Sequence, residues 1–285
     1  MLYGIALLLG CCSVTFAASM QDPFQTGNFA LPGSQQPGPV FSFGQNIIDK
    51  NQTQLFVQAD DYIGIQKHAI DVMPLVIYGI SNNLSIMFAL PYAPSYQIDH
   101  HHSADLEDAF AQLEYAIYKQ QGKNYWDQAT VVTSLSLPTG SALKNPPTGF
   151  GAPTLFVGAT FSRMYSDWFV YVQPGVVLTT AHNNTRLGNQ WLYEFGLGRN
   201  LFSVAAHWIV AVQAELDGTY ANQNVIQGVT DTNSGGNVVY LTPSLFVSGQ
   251  HLILQLGLGA PVTQHLYGNQ TRNTWLAIAN LGWTI

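Results

Sequence analysis

From residue 53 onward the chain keeps returning to one pattern, an apolar side chain at every second position with polar or small ones between. A strand sends successive side chains to opposite faces, so each such segment has one face suited to hydrocarbon and one suited to water or close packing. In WFVYVQPGVVLTT the even positions Trp168, Val170, Val172, Val176 and Leu178 are apolar, while the odd ones include Tyr171, Gln173, Gly175 and Thr179. NQWLYEFGLGRN sets Trp191, Tyr193, Phe195 and Leu197 against Gln190, Glu194, Gly196 and Gly198. HLILQLGLGA sets Leu252, Leu254, Leu256 and Leu258 against His251, Gln255, Gly257 and Gly259. About twelve segments of this kind are visible, at roughly 53–61, 68–80, 84–92, 107–119, 125–137, 154–164, 168–180, 189–199, 205–216, 237–248, 251–261 and 274–285.

The connections add a second constraint. Tight ones (SNN at 81, YSD at 165, SGQ at 248) alternate with long polar ones such as PSYQIDHHHSADLE, PTGSALKNPPTGFGA, GTYANQNVIQGVTDTNSGG and TQHLYGNQTRN. Short turns on one rim and long loops on the other is the layout of an outer-membrane barrel. The expected fold is therefore all-β, a transmembrane antiparallel up-and-down β-barrel over 53–285 with about twelve strands, ten or fourteen being the alternatives. A helical span is excluded, because no stretch after the leader approaches eighteen consecutive apolar residues.

A soluble β-sandwich would also alternate, so the membrane assignment needs independent support. Only 9% of the residues are charged, against roughly 25% in ordinary soluble domains. Lys119, Lys123, Lys144, Arg163, Arg186, Arg199 and Arg272 all fall in connections or near strand ends. A basic residue on the lipid face at the bilayer midplane would cost about 2–4 kcal/mol. The six tryptophans lie near strand ends. Trp168, Trp191, Trp208, Trp275 and Trp283 read as an aromatic girdle, with Trp126 as an inward exception.

The first residues, MLYGIALLLGCCSVTFAASMQ, read as an export signal over 1–18, although a basic n-region is missing. Leu8-Leu9-Gly10-Cys11 also resembles a lipoprotein box, which leaves lipidation of Cys11 open. Both cysteines, Cys11 and Cys12, fall within this leader, so no disulfide framework is expected beyond it. Residues 19–52, rich in Pro, Gly, Gln and Ser, read as an irregular N-terminal arm.

Parity assigns Asp71, Gln112, Glu114, Gln128, Tyr171, Gln173, Glu194, Gln213, Glu215 and Gln255 to the lumen. With acids and glutamines and almost no cations, such a lumen disfavours anions. The acids have a second reading, as partners of tyrosines or waters in a packed interior. His207, His251, Ser134, Ser136 and Ser244 are read as inward, and His68 as outward with no serine beside it. With no G-x-S-x-G either, the expectation is that the chain is not an enzyme. DHHHS at 99–103 reads as a solvated loop rather than a metal site, because consecutive residues rarely converge on one ion. Neither GLG, at 196 and 257, opens a helix after a strand. No cofactor and no metal are expected, and the net charge of −7 argues against nucleic acid as a partner.

The stretch from Ser103 to Thr180 contains SLSLPTG ending at Pro138-Thr139-Gly140, a polar loop, the GFG of Gly149–Gly151, and an amphipathic strand pair divided by a short turn. In these features it resembles the outer-membrane barrel family labelled "MetA-pathway of phenol degradation". It departs from that family at Ala152-Pro153, where an acidic residue is expected. The resemblance implies passage of small, often hydrophobic or aromatic compounds and supplies no catalytic residues.

The resulting expectation is a bacterial outer-membrane channel or transporter for small neutral, hydrophobic or cationic solutes. Its expected partners are outer-membrane lipids, the solute and the barrel-assembly machinery, which would read the apolar alternation of TWLAIANLGWTI; Ile285 stands where such signals usually have phenylalanine. The alternatives are a structural or surface-interaction barrel with a closed lumen, or a soluble exported β-protein.

Overall fold

The computed structural model describes residues 26–41, 43–44 and 47–285, so the leader expected over 1–18 lies outside the described residues. Alternation becomes strand at each place where it occurs. The chain runs through β1 (Thr53–Gly64), β2 (Lys67–Ser81), β3 (Leu84–Ala89), β4 (Tyr92–Ile98), β5 (His101–Leu106), β6 (Phe110–Gln121), β7 (Tyr125–Ser136) and β8 (Thr154–Tyr165). It continues through β9 (Trp168–Thr179), β10 (Gln190–Val204), β11 (Trp208–Ala221), β12 (Val225–Ile226), β13 (Val229–Thr230), β14 (Gly236–Ser248), β15 (Leu252–Leu266) and β16 (Asn273–Thr284).

Twelve of these strands close into an antiparallel barrel. β1 pairs with β16 on one side (Leu55 opposite Trp283) and with β2 on the other (Leu55 opposite Val76), which leaves no free edge around the cylinder. Closure pairs the strands all the way round, the condition for crossing hydrocarbon with strands. The turns at 82–83, 122–124, 166–167, 205–207 and 249–251 mark the short-turn rim, and the segments 137–153, 180–189, 222–235 and 267–272 mark the long-loop rim. The β1–β2 turn at Ile65-Gln66 is a tight one on the long-loop side.

Two short hairpins depart from the sequence reading. The segment taken as a polar loop folds as β4 and β5, paired Tyr92 to Leu106 and Ile98 to His101, so β3 and β6 continue beyond the rim. Pro91 separates β3 from β4, and β2 pairs with β3 through its lower half and with β4 through its upper half. Polar composition hid this pair because both faces of the extension meet water or loop, so no apolar alternation was required. Likewise β12 and β13 form a two-residue ladder inside the loop at 222–235. Several barrel strands also run past the expected ends, β15 as far as Leu266, where side chains leave the apolar belt and alternation stops.

On the outer wall of β10, Trp191, Tyr193, Phe195 and Leu197 are each at least 41% exposed, whereas inward Glu194 is 6% exposed. The same contrast recurs around the cylinder, with Leu55, Val57, Leu113, Val131, Leu155, Val172, Leu216, Leu245 and Leu256 exposed outward. A contiguous apolar belt of this extent belongs in lipid, not water. Trp168, Trp208 and Trp283 lie on it at the short-turn rim, Trp191 and Trp275 at the opposite rim, and all five are exposed. Trp126 is half-buried and packs against the interior cluster around Phe29. The outward polar groups lie near the rims: Arg163 forks onto Asp127 with two 2.7 Å hydrogen bonds, Arg199 stacks over the Trp168 ring at 5.1 Å, and His68 Nε2 lies 2.7 Å from Asp61 Oδ1.

Candidate functional site: the occupied lumen

The inward residues do not enclose an open pore. The N-terminal arm, irregular as its composition requires, enters at the short-turn rim and lies inside the barrel. There it is anchored first by its backbone: Asn28 N donates to Ser166 O at 2.7 Å, and Ala206 N donates to Ala30 O at 2.8 Å. Phe29, Ala30 and Leu31 then pack against inward Met164, Phe169, Tyr171, Ile209, Ala211, Phe246 and Ile253. This cluster joins the arm to the wall at the short-turn mouth by apolar packing.

Further in, the arm is extended and rich in Pro and Gly, so its peptide groups have no ladder of their own. Buried peptide groups need partners, and the wall supplies them as side chains. Gln213 Nε2 donates to Gly38 O at 3.1 Å, and Gln255 Nε2 donates to Gly38 O and Pro39 O, both at 3.0 Å. Asn280 Nδ2 donates to Val40 O at 2.9 Å and Gln112 Nε2 to Phe43 O at 2.8 Å. The Glu215 carboxylate accepts from Val40 N (2.7 Å) and Phe41 N (3.2 Å), and also from the Tyr171 hydroxyl. Ile48 N donates to Ser85 Oγ at 3.1 Å, while Gln54 Nε2 donates to Ser34 O at 2.8 Å.

These contacts redefine the lumen candidates. Gln112, Gln213, Glu215 and Gln255 face inward and hold the arm; Tyr171 supports Glu215. Glu114 is buried and accepts from Gln112 at 2.8 Å. Gln173 is fully buried, opposite Glu194, which in turn lies opposite Asp217. Asp71 faces the cavity above the arm, and Gln128 lies half-buried on the inward parity of β7. Gly196, also inward, is required small: a Cβ there would sit 2.0 Å from the Tyr171 ring.

The arm's seat was missed because backbone recognition leaves no motif. The available signal was complementarity between a Pro/Gly-rich segment and a ring of inward amides. Two inward assignments are corrected: His207 and His251 lie in the short turns before β11 and β15, His207 exposed and His251 stacked on outward Trp283. Both strands begin one residue after the histidine, so the alternation never extended to them. The histidines at 100–102 lie at the tip of the β4–β5 hairpin and on β5, where His102 Nε2 is 3.4 Å from Ser95 Oγ. Among the described residues no group of three metal-ligating side chains converges.

Among the described residues, two cavities adjoin the arm. One, of about 250 Å³, lies between it and the β1–β3 wall, lined by Phe56, Leu75, Ile77 and Met87. The other, of about 530 Å³, lies on the long-loop side, with Asp60, Asp71, Glu107 and Asp108 among its walls. Phe43, Met73, Phe110 and Gln112 line both, so the two cavities adjoin there.

A closed twelve-stranded cylinder with an apolar belt, short turns on one rim and long loops on the other defines an outer-membrane β-barrel. Comparison with solved structures agrees on the fold. The COG4313 outer membrane channel from Pseudomonas putida F1 superposes with a TM-score of 0.70 at 11% identity, over 88% of this chain and 99% of that one. The NanC porin gives 0.48 at 12% identity, over 81% and 98%. The translocator domain of the autotransporter NalP from Neisseria meningitidis gives 0.44 at 9%, over 86% and 90%. No family model matches the chain, and no curated protein sequence does. The likeness of residues 104–180 to the phenol-degradation family is thus confirmed only as far as the barrel fold.

Proposed function

We propose that this barrel is a channel for small neutral, hydrophobic or cationic solutes, with its periplasmic half narrowed by its own N-terminal arm. The observation that carries this reading is the sign of the lumen. Asp60, Asp71, Glu114, Glu194, Glu215 and Asp217 point inward between the rims, and the described Lys and Arg side chains lie in connections or near strand ends. The path runs from the larger cavity past Phe43 and along the apolar β1–β3 wall, which suits a solute with an apolar part. The solved channel contributes the fold to this argument, and the lumen contributes the function.

The apolar packing of Phe29 and Leu31 against the wall favours a second reading, a structural or surface-interaction barrel with a shut lumen. Single-channel recording on the purified protein in planar bilayers separates the two, beside a variant lacking residues 26–48. Conductance steps in the native protein that enlarge in the variant support the channel. Silence from both, in preparations whose gel migration is heat-modifiable, leaves the closed barrel.

A further inference from the structure

The cavity on the long-loop side combines two chemistries. Phe43, Met73, Phe110 and Phe156 give it apolar and aromatic surface, beside them stand the carboxyls of Asp60, Asp71 and Glu107, and none of the lining residues is basic. Its volume of about 530 Å³ falls within the usual size of a small-ligand pocket, about 300–1,000 Å³.

The acids are not all consumed by the fold. Asp108 is, since it accepts from Gly140 N at 2.9 Å and Phe150 N at 2.7 Å and so ties down the long loop. Asp71 and Glu107 stand close enough for their charges to act on one another. Asp60 is the decisive case: it is only 9% exposed, its Oδ2 accepts from Gln58 at 2.8 Å, and its Oδ1 is buried with no partner. A buried carboxylate oxygen without a donor carries a desolvation cost that a donor arriving from the cavity would relieve.

We propose that this cavity binds an organic cation, an ammonium group carried on an aromatic or branched aliphatic body. The ammonium sits among Asp60, Asp71 and Glu107, and the body packs on Met73 and Phe110. The rings of Phe43 and Phe156, packed edge to face at 4.5 Å between centroids, extend the aromatic surface that the body meets. This deepens the channel reading, on which it rests for the fate of the ligand, by naming what the lumen admits first.

The test is calorimetric titration of the full-length protein in detergent at pH 8 and low salt with three probes of similar size: benzylammonium, whose N–H groups can donate to Asp60, benzyl alcohol and benzoate. The cation is expected to bind at least about tenfold more tightly than the alcohol, and benzoate not to bind measurably. Asp60→Asn and Asp71→Asn, tested separately and each checked for heat-modifiable migration, should each remove most of that preference while leaving the alcohol unchanged. Equal affinity for cation and alcohol in the native protein overturns the proposal, and so does a preference that survives in both variants. Planar-bilayer recording of the same preparations keeps the two claims apart. Cation preference without conductance sinks the channel reading alone; conductance without preference sinks the binding site alone.

Discussion

At the residue scale, the lumen is organised by pairs in which one side chain exists to place another. Gly196 leaves space for the Tyr171 ring, Tyr171 donates its hydroxyl to Glu215, and Glu215 accepts two N–H groups of the arm. Gly196→Val should therefore force the ring off its seat and destabilise the barrel by about 1–3 kcal/mol, the usual cost of overpacking. The check is the temperature of the gel-mobility transition, which should fall. Glu107 offers a pH test. It lies between β5 and β6, faced by Asp60 of β1, Asp71 of β2, Tyr96 of β4 and neighbouring Asp108, and burial pushes its carboxyl up to about 8, with the charge of Asp71 adding to the shift. Below that value Glu107 is protonated and the cavity is less negative; above it a further charge appears. Affinity for benzyltrimethylammonium, whose own charge does not titrate, should rise between pH 6 and pH 9 by about tenfold. Glu107→Gln should flatten the profile, and an unchanged slope in that variant would assign the dependence to another group.

At the element scale, the arm is the part of the molecule whose position the alternation could not announce. Strands β1 to β3, β6 to β11 and β14 to β16 were legible because each must present hydrocarbon on one face, and lipid enforces that at every second residue. The girdle tryptophans were legible for the same reason. The inward face obeys no such rule, since it accepts polar, apolar or glycine residues according to what fills the lumen. Phe169, Ile209, Phe246 and Ile253 break the expected inner polarity because they meet Phe29 and Leu31, residues more than a hundred positions away in sequence. The arm's role in closure is open to a direct test. A Cβ at Gly44 would lie 3.7 Å from the Thr160 Cβ, within the disulfide range of about 3.5–4.5 Å. Gly44→Cys with Thr160→Cys, in a background where Cys11 and Cys12 are serine, should clamp the arm when oxidised. Conductance should then fall and recover on reduction. Identical currents in both states would mean that the arm does not limit passage.

At the scale of the whole molecule, charge is sorted by radius and height. The outer wall is neutral through its belt, the rims hold outward Asp127, Arg163 and Arg199, and among the described residues the interior holds acids with no basic partner at their level. An arrangement of this kind has a cost, because like charges in a narrow lumen repel; hydrogen bonds from the arm and from Tyr171 and Thr242 offset part of it. If ions pass, the interior field should select them by sign. A KCl gradient across a planar bilayer should give a reversal potential on the cation side. That preference should weaken between 0.1 M and 1 M salt, as the screening length shrinks from about 10 Å to about 3 Å. Glu194 and Asp217 are the acids to remove first, because they face each other across β10 and β11 and each has a carboxylate oxygen without a partner. Glu194→Gln with Asp217→Asn should shift the reversal potential toward zero without displacing the arm, whose anchors lie on other side chains. Anion selectivity in the native protein, or a reversal potential unmoved by the double substitution, would place the selecting charges at the loops instead of along the lumen.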